Sequence, residues 1–192
     1  ILGSIDRSTV QGSRDFAILM LASSLGIRAS DICEMTLEAI NFVKNELCFI
    51  QKKTSVPLTL PLLPDVKEAL LGYLGCRKIN STDEPIFIQC RAPYHKLTRM
   101  GIWTIMRRYL KQSGVDPGHR KRGTHALRSS LASSMVREQV PYYAVQKILG
   151  HESPQSTKNY VRIDIGRLRE FTLPVPEAYG RFDAFLKGGE TR

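Results

Sequence analysis

The chain has 192 residues, of which 42% are hydrophobic, enough to bury a core in one domain of ordinary size or one domain with an appendage. No stretch approaches the ~20 consecutive apolar residues that span a bilayer, so the composition excludes a membrane-spanning helix. The net charge of +10 is high for this length. It favours a polyanionic partner, with nucleic acid as the first candidate, although charge alone leaves a merely basic soluble protein open.

The positive charge is concentrated in one stretch of the chain. Between Arg99 and Arg137 there is a single acid, Asp116, against nine basic residues. These are Arg99, Arg107, Arg108, Lys111, Arg120, Lys121, Arg122, Arg128 and Arg137. Such clustering is typical of proteins that bind the phosphate backbone, and it predicts an affinity that falls as salt rises. The three at positions 120–122 are the predicted backbone contacts.

The four cysteines are Cys33, Cys48, Cys76 and Cys90. None forms a C-x-x-C pair, and none has a histidine at zinc-finger spacing, so no structural metal is predicted. The pattern is typical of reduced, mostly buried cysteines in an intracellular protein.

The first predicted helix runs from Arg14 to Leu25, where an apolar-rich run ends at Gly26, a common helix stop. Ser30 is predicted to cap a short second helix that reaches Met35. Three short β-like runs follow at 39–42, 47–51 and 56–60, with polar turns between them. They predict a small antiparallel sheet of three strands.

The rest of the chain has a helical pattern, which Pro64 opens at about 65–77. Further helices are predicted at 98–113, 124–138, 141–150 and 156–169, a short strand at 86–88, and a terminal helix or mobile tail at 178–186. The fold class is therefore mainly α with one small three-stranded antiparallel β-sheet. Pro174 and Pro176 break the pattern, which predicts a domain at 1–173 and a C-terminal tail at 174–192.

The strongest local signal is Thr124-His125-Ala126-Leu127-Arg128. His125 and Arg128 are three residues apart, so they share a face of the predicted helix and lie near its first turn, where an anion is favoured. Arginine offers a forked pair of donors to phosphate oxygens, and histidine donates or shuttles a proton. Taken alone, however, a histidine and an arginine at this spacing are common by chance.

The second signal is Leu149-Gly150-His151, followed nine residues later by Tyr160. His151 comes directly after a predicted helix end, where it either reaches a neighbouring cleft or merely caps the last carbonyls. A tyrosine is far more often a packing residue than a nucleophile. Because the phenol pKa is near 10, Tyr160 needs a base or a dense positive field to react at neutral pH.

Two more signals lie upstream. Arg28 is predicted at a helix start, where the helix dipole repels cations, so an anionic partner is expected beside it. Asp31, three residues later, either holds the Arg28 guanidinium in place for such a partner or forms only a surface salt bridge with it. Lys53 is predicted in the hairpin turn between two strands, from which a lysine projects into a groove, although most such lysines are merely solvated. Lys52 is adjacent, so the choice of lysine could shift by one, although the Thr54 that follows favours Lys53.

All these signals together, in this order, resemble the catalytic domain of the tyrosine recombinases, the phage integrase family. The matching segments are G-I-R-A-S-D, the lysine hairpin I-Q-K-K-T-S-V-P-L-T-L-P-L, T-H-A-L-R, L-G-H and S-T-K-N-Y, and the resemblance covers about residues 14–169. It implies a site-specific recombinase that cleaves and rejoins double-stranded DNA through a 3′-phosphotyrosyl intermediate.

The resemblance also implies a role for each matched residue. The catalytic set is Arg28, Lys53, His125, Arg128, His151 and the nucleophile Tyr160, with Asp31 in support. In these roles Arg28 and Arg128 clamp the scissile phosphate, Lys53 protonates the leaving 5′-oxygen, His125 is an acid or base near the tyrosine, and His151 bonds the phosphate.

Further expectations concern cofactors and partners. No carboxylate cluster suggests Mg²⁺, so no metal and no cofactor are predicted. The resemblance implies a homotetramer on two DNA duplexes, a monomer when the chain is isolated, a cytoplasmic location in a bacterial or phage context, and an upstream DNA-clamping domain outside this sequence. The tail either docks on a neighbouring protomer or packs on its own chain.

Two other functions stay open at this point. A type IB topoisomerase uses a similar set of residues but relaxes supercoils, whereas a non-catalytic DNA-binding module would bind DNA without forming a covalent adduct.

Overall fold

The computed structural model describes residues 1–77, 85–118 and 122–150. Its helices are α1 Val10–Ser24, α2 Ala29–Glu34, α3 Pro64–Cys76, α4 Arg99–Gln112, α5 Thr124–Arg137 and α6 Tyr142–Leu149. Its strands are β1 Ile40–Asn41, β2 Glu46–Ile50 and β3 Pro57–Pro61. Two short 3₁₀ turns, Leu2–Ser4 and Leu37–Ala39, complete this part of the chain. The predicted helices at 156–169 and 178–186 lie outside the described residues.

The three strands form one antiparallel sheet in the order β1-β2-β3, as the sequence predicts. Leu47 pairs with Ile40 on one side and with Leu60 on the other, and all three side chains are buried. Alternate residues of β2 and β3 point to the outer face, where Cys48 and Ile50 are exposed. The sheet therefore covers one side of the core, and the β2–β3 turn projects beyond it.

Helix α1 forms the centre of the core. Ala17, Ile18, Leu21 and Ala22 are fully buried, and the helix packs on α3 and α5. It begins at Val10, four residues before the predicted start, because the side chain of Thr9 accepts a hydrogen bond from the Gly12 amide and caps it. Helix α1 thus holds α3 and α5 in fixed positions on the core.

Three local predictions differ from the structure. Ser30 does not cap α2, since Arg28 holds the N-cap position and Ser30 lies inside the helix. Residues 86–88 form no strand: Ile88 makes an isolated bridge with Lys96 while Ile86 and Phe87 are buried in the core. The prediction that most of the cysteines are buried is wrong. Cys33 is buried, Cys48 is exposed, and Cys76 and Cys90 are half-buried.

A buried polar contact joins α1 to α4. Asp15 is 0% exposed, accepts a hydrogen bond of 2.6 Å from Arg14 Nη2, and accepts another of 3.2 Å from the Tyr109 hydroxyl. Arg14 also donates to the Ile88 carbonyl at 3.0 Å. Buried charges are tolerated only when they are paired in this way.

None of the helices in the described part of the chain has the length and hydrophobicity of a membrane-spanning segment.

Candidate active site

A cleft of about 770 Å³ opens between α2, the β2–β3 turn, the segment before α4 and the start of α5. Its lining residues are Ile27, Arg28, Ala29, Ser30, Cys33, Glu34, Lys52, Lys53, Lys96, Leu97, Thr98, Arg99, Thr124, His125 and Arg128. Six of these are lysine or arginine, and only Glu34 is acidic. A cleft with this balance concentrates positive potential and suits an anionic ligand.

Four of the six predicted catalytic residues line this cleft: Arg28, Lys53, His125 and Arg128. They come from the turn before α2, the β2–β3 turn and the first two turns of α5. The remaining two, His151 and Tyr160, lie outside the described residues, as do Arg120 and Lys121 of the predicted backbone contacts. The third of those contacts, Arg122, is exposed, donates to the Gly118 carbonyl at 3.3 Å and is not part of the cleft lining.

Arg28 ends the turn that leads into α2. Its Nη2 donates a hydrogen bond of 3.3 Å to the carbonyl of Gly150. Its Nη1 is buried and has no hydrogen-bond partner among the described residues. Leaving a buried charged donor unsatisfied costs free energy, so this nitrogen favours an anion entering the cleft.

Arg128, on α5, is 3% exposed. Its Nη1 donates to the Gly26 carbonyl at 2.5 Å, and its Nη2 donates to the carbonyl of Leu149. These bonds join the end of α1, the start of α5 and the end of α6. They fix the plane of the guanidinium, so that the edge facing the cleft is held in one orientation.

Two glycines make this arrangement possible. Gly26 and Gly150 both adopt positive φ, at 63° and 57°. A Cβ at Gly26 would lie 2.8 Å from the Leu149 side chain, and a Cβ at Gly150 would lie 2.3 Å from the Gln51 amide. Glycine is therefore required at both positions by conformation and by space.

Asp31 does not pair with Arg28, contrary to the sequence prediction. Within the described structure its Oδ1 accepts from the backbone N–H of Lys52 at 2.9 Å and from the Ser30 hydroxyl at 3.3 Å, while its buried Oδ2 has no partner. The carboxylate therefore anchors the β2–β3 turn to α2. The spacing of three residues suggested a local ion pair, but the folded turn offers a backbone donor that the sequence does not reveal.

The structure distinguishes the two adjacent lysines of the turn. Lys52 Nζ forms an ion pair of 2.5 Å with Glu34, which also binds Lys96 at 3.0 Å. Lys53 is exposed, lines the cleft and has no ion-pair partner in the described part of the chain. This favours Lys53 over Lys52 as the lysine available to a ligand.

Glu34 is the acidic exception in the cleft. Hydrogen bonds from Lys52, and then from Lys96, hold the pKa of its carboxyl below the usual value. Glu34 therefore stays ionised and offsets two of the surrounding positive charges. The sequence does not indicate this ion pair, because Glu34 and Lys96 are 62 positions apart. The fold brings them together where Lys96 bridges to Ile88.

His125 lies at the second position of α5 and is exposed. The N-cap residue of this helix is Gly123, whose lack of a side chain leaves the first-turn N–H groups without a side-chain cap. The start of α5 thus adds a positive dipole end to the cleft beside His125.

Cys33 contributes a thiol to the cleft lining. Burial, and then the charge of Glu34, raises the pKa of its thiol to about 11. Since the thiolate is the reactive form, this cysteine is inert at neutral pH. Among the described residues, no group of three or more His, Cys, Asp or Glu side chains is placed to hold a metal ion.

The sequence model of the phage integrase family matches residues 2–167 of the chain. The chain is 34% identical over 168 residues to the putative integrase/recombinase y4gC of Sinorhizobium fredii, covering 88% of the chain and 86% of that protein. It is 33% identical to the putative integrase/recombinase y4rA of the same species, covering 92% of the chain and 42% of that protein.

A tyrosine recombinase XerC of Thermodesulfovibrio yellowstonii is 33% identical, with 87% of the chain and 55% of that protein covered. The chain thus spans about half the length of several curated relatives that it matches.

Solved structures show the same fold. The XerH site-specific recombinase bound to palindromic difH substrate, in a post-cleavage complex, superposes with a TM-score of 0.73 at 20% identity, covering 88% of this chain and 48% of that one. The lambda integrase (75–356) dimer bound to a COC′ core site superposes with a TM-score of 0.60 at 26% identity, covering 85% and 56%. The predicted fold, helices around a small three-stranded sheet as in tyrosine recombinase catalytic domains, is confirmed.

Proposed function

Because the chain belongs to the phage integrase family, we propose that it is a site-specific DNA recombinase that breaks and rejoins strands through a phosphotyrosyl bond at Tyr160. The observation that carries this proposal is the basic cleft that unites Arg28, Lys53, His125 and Arg128. These residues come from segments about 100 positions apart, and they form one anion site of the kind that phosphoryl transfer requires.

The described geometry supports a distinct role for each group. Arg28, whose buried Nη1 has no partner in the described part of the chain, and Arg128, whose guanidinium plane is fixed, bind the non-bridging oxygens of the scissile phosphate. Lys53 extends from the β2–β3 turn and protonates the leaving oxygen. His125, at the start of α5, serves as acid or base for the tyrosine.

The reaction exchanges one ester for another. The Tyr160 oxygen attacks the phosphorus and forms a Tyr–O–P bond at the 3′ side, while the bond between phosphorus and the 5′-oxygen breaks. His125 receives the phenol proton, Lys53 gives a proton to the 5′-oxygen, and His151 donates a hydrogen bond to the phosphate. Because the new ester keeps the bond energy, a 5′-hydroxyl from another strand reverses the step without ATP. Fixed cations lower the barrier by binding the charge that develops on the oxygens, and no metal enters.

The assembly that the proposal implies extends beyond one chain. Two DNA duplexes would be held by a tetramer, with positions 1–173 forming the catalytic domain and 174–192 a tail that docks in cis or on a neighbour. The basic loop at 120–122 would contact the DNA backbone, and the protein would act in the cytoplasm. The relatives named XerH and lambda integrase are bound to DNA in their structures, which supports DNA as the partner.

The test starts with duplexes selected from a random-sequence pool by the Tyr160→Phe protein. The selected duplex is then nicked near the expected cleavage point, so that the cut releases a short fragment and traps the intermediate. We expect a covalent protein–DNA band on a denaturing gel, insensitive to EDTA and absent with Tyr160→Phe. Tyr143→Phe is the matched control, since Tyr143 is 66% exposed on α6 and should leave the band unchanged.

The other outcomes separate the alternatives. Binding without a band in the unaltered protein would indicate a DNA-binding module. A band accompanied by relaxation of supercoils, but without exchange between two labelled duplexes, would indicate a topoisomerase. A band that needs Mg²⁺ and survives Tyr160→Phe would overturn the proposed chemistry.

A further inference from the structure

Gln51 is a buried polar residue that no part of the proposed reaction uses. It directly follows β2, immediately before the lysine pair of the β2–β3 turn, and is 1% exposed. A fully buried glutamine is rare unless its amide is hydrogen-bonded at both ends. Its partners therefore show why it is tolerated there.

The oxygen and the nitrogen of the Gln51 side-chain amide are both hydrogen-bonded, to partners in different parts of the fold. Its Oε1 accepts from the Thr54 hydroxyl at 2.9 Å, across the turn that carries Lys53. Its Nε2 donates to the Leu149 carbonyl at 3.4 Å, at the end of α6. One side chain thus connects the lysine turn to a helix end that is 98 residues away in the sequence.

The contact at α6 is also tight. A Cβ placed on Gly150 would lie 2.3–2.6 Å from all three atoms of the Gln51 amide group, so the amide lies directly on the glycine backbone. The same helix end is held by Arg28 at the Gly150 carbonyl and by Arg128 at the Leu149 carbonyl. The next residue in the chain is His151. Gln51 therefore shares the Leu149 carbonyl with Arg128 and packs on Gly150, the residue whose carbonyl binds Arg28.

The lysine turn is fixed on its other side as well. Asp31 accepts from the Lys52 amide at 2.9 Å, and the turn is closed by bonds from the Ser55 amide to the Gln51 carbonyl and from the Gln51 amide to the Val56 carbonyl. Asp31 and the ion pair between Lys52 and Glu34 both tie the turn to α2. Gln51 adds an anchor on a different element, the end of α6.

We propose that Gln51 is a positioning residue that locks the Lys53 turn to the end of α6, so that the general acid and the two phosphate-binding arginines move as one unit. The inference rests on the proposed function for the role of Lys53. A misplacement of about 1 Å at a reacting group costs up to about 10² in rate, so the lock matters for the chemistry even where the fold survives without it.

The first test is independent of activity. Gln51→Met keeps the size of the side chain but removes both hydrogen bonds. We expect faster hydrogen–deuterium exchange at residues 51–56 and at 145–150 together, with exchange in α1 unchanged. Unchanged exchange in both segments, or a gain confined to one of them, would overturn the lock whether or not the protein cleaves DNA.

The second test uses the chemistry of the leaving group. The nicked duplex is prepared with oxygen or with sulfur at the bridging 5′ position of the scissile phosphate. A thiolate leaves without a proton because the thiol pKa is only about 8.5, so the sulfur substrate does not need Lys53. We expect Gln51→Met to slow adduct formation on the oxygen substrate by about 10–10²-fold and to leave the rate on the sulfur substrate nearly unchanged.

A purely structural role would lower both rates alike, and that result would overturn the inference. Adding Gln51→Met to Lys53→Ala should cause no further loss on the oxygen substrate, since both changes remove the same contribution. If Lys53→Ala is itself not rescued by sulfur, the acid role assigned under the proposed function fails, and the exchange measurement still decides the lock.

Thr54 supplies a matched pair should Gln51→Met fold poorly. Thr54→Val removes the hydroxyl that binds Gln51 and keeps the shape, whereas Thr54→Ser keeps the hydroxyl. We expect Thr54→Val to show the same oxygen-specific loss on a smaller scale and Thr54→Ser to behave like the unaltered protein. Equal behaviour of the two variants would contradict the proposal.

Discussion

Arg128 donates a hydrogen bond to the carbonyl of Leu149, the last residue of α6. The next carbonyl along the chain, that of Gly150, accepts from Arg28. Two arginines that line the cleft from different segments thus hold one helix end, immediately before His151. Carbonyls at a helix C-terminus carry partial negative charge, so the cations stabilise that end while they face the cleft.

The two arginines should respond differently to replacement by methionine. Arg128→Met leaves the buried Gly26 carbonyl without its donor and weakens the bonds at Leu149, so we expect the free energy of unfolding to fall by about 1–3 kcal/mol. Arg28→Met removes one longer hydrogen bond and a nitrogen that has no partner among the described residues, so the free energy of unfolding should change little. Both variants should lose about 10²–10³ in the rate of adduct formation.

Urea unfolding and single-turnover cleavage measure these two effects separately. The expected pattern is a large stability loss only for Arg128→Met, together with a rate loss for both. Equal destabilisation by the two substitutions would show that Arg28 is as much a structural group as Arg128.

Gly150→Ala should be more costly than a change at another glycine of the same conformation. Gly114 also has positive φ, at 67°, but a Cβ there would meet no atom within 4 Å. Gly114→Ala should therefore cost only the conformational penalty, roughly 1–2 kcal/mol. Gly150→Ala adds a clash with the Gln51 amide, and we expect about 1–3 kcal/mol beyond the control.

Thermal or urea unfolding of the two variants gives the difference directly. The added methyl should also slow adduct formation, because it pushes Gln51 away from the helix end. If both alanine variants lose the same stability, the close packing of Gln51 on Gly150 is wrong.

Glu34→Gln should strengthen DNA binding. The substitution removes the charge that holds Lys52 and Lys96, so these side chains become available to phosphates. We expect tighter binding and a plot of log Kd against log salt that is steeper by about one unit for each lysine gained. Glu38→Gln, at an exposed acid outside the cleft lining, is the control and should have less effect.

The effect of Glu34→Gln should also depend on pH. The pKa of Glu34 is lowered by Lys52 and Lys96, so the carboxylate keeps its charge until the pH falls through that lowered value. The affinity difference between the unaltered protein and the variant should therefore be full near neutral pH and shrink only in acid. A difference that persists after Glu34 is protonated would point to a cause other than its charge.

The cysteines should differ in their reaction with iodoacetamide. Burial raises the pKa of Cys33 to about 11, so its reactive thiolate is scarce at pH 8, whereas Cys48 is exposed. Mass spectrometry of peptides after brief alkylation should show Cys48 modified and Cys33 intact. Rapid alkylation of Cys33 in the folded protein would contradict both its burial and its protonated state.

Sequence patterns predicted the elements well where the local chemistry is strong. The three strands and helices α3 to α6 lie within one or two residues of their predicted bounds, because glycine stops, Pro64 and the period of apolar residues act over short distances. The start of α1 was missed because Thr9 caps a helix that begins at Val10, four residues before the predicted start. Residues 86–88 have a strand-like composition, but in the described structure they lie in the core and form only an isolated bridge, between Ile88 and Lys96.

The sequence by itself predicted the candidate site residues, and the structure brings four of them to one cleft. Arg28, Lys53, His125 and Arg128 were identified from short motifs and their order, and these motifs are readable because each needs particular side chains at fixed local spacing. The family followed from the same order, and the match over residues 2–167 confirmed it.

Only the tertiary structure decided how those residues are held. The partner of Asp31 is the Lys52 amide rather than Arg28, Glu34 pairs with Lys52 and Lys96, and Gln51 binds the end of α6. These partners are backbone groups or side chains distant in the sequence, and a hydrogen bond leaves no trace in composition or spacing when its acceptor is a carbonyl 98 residues away.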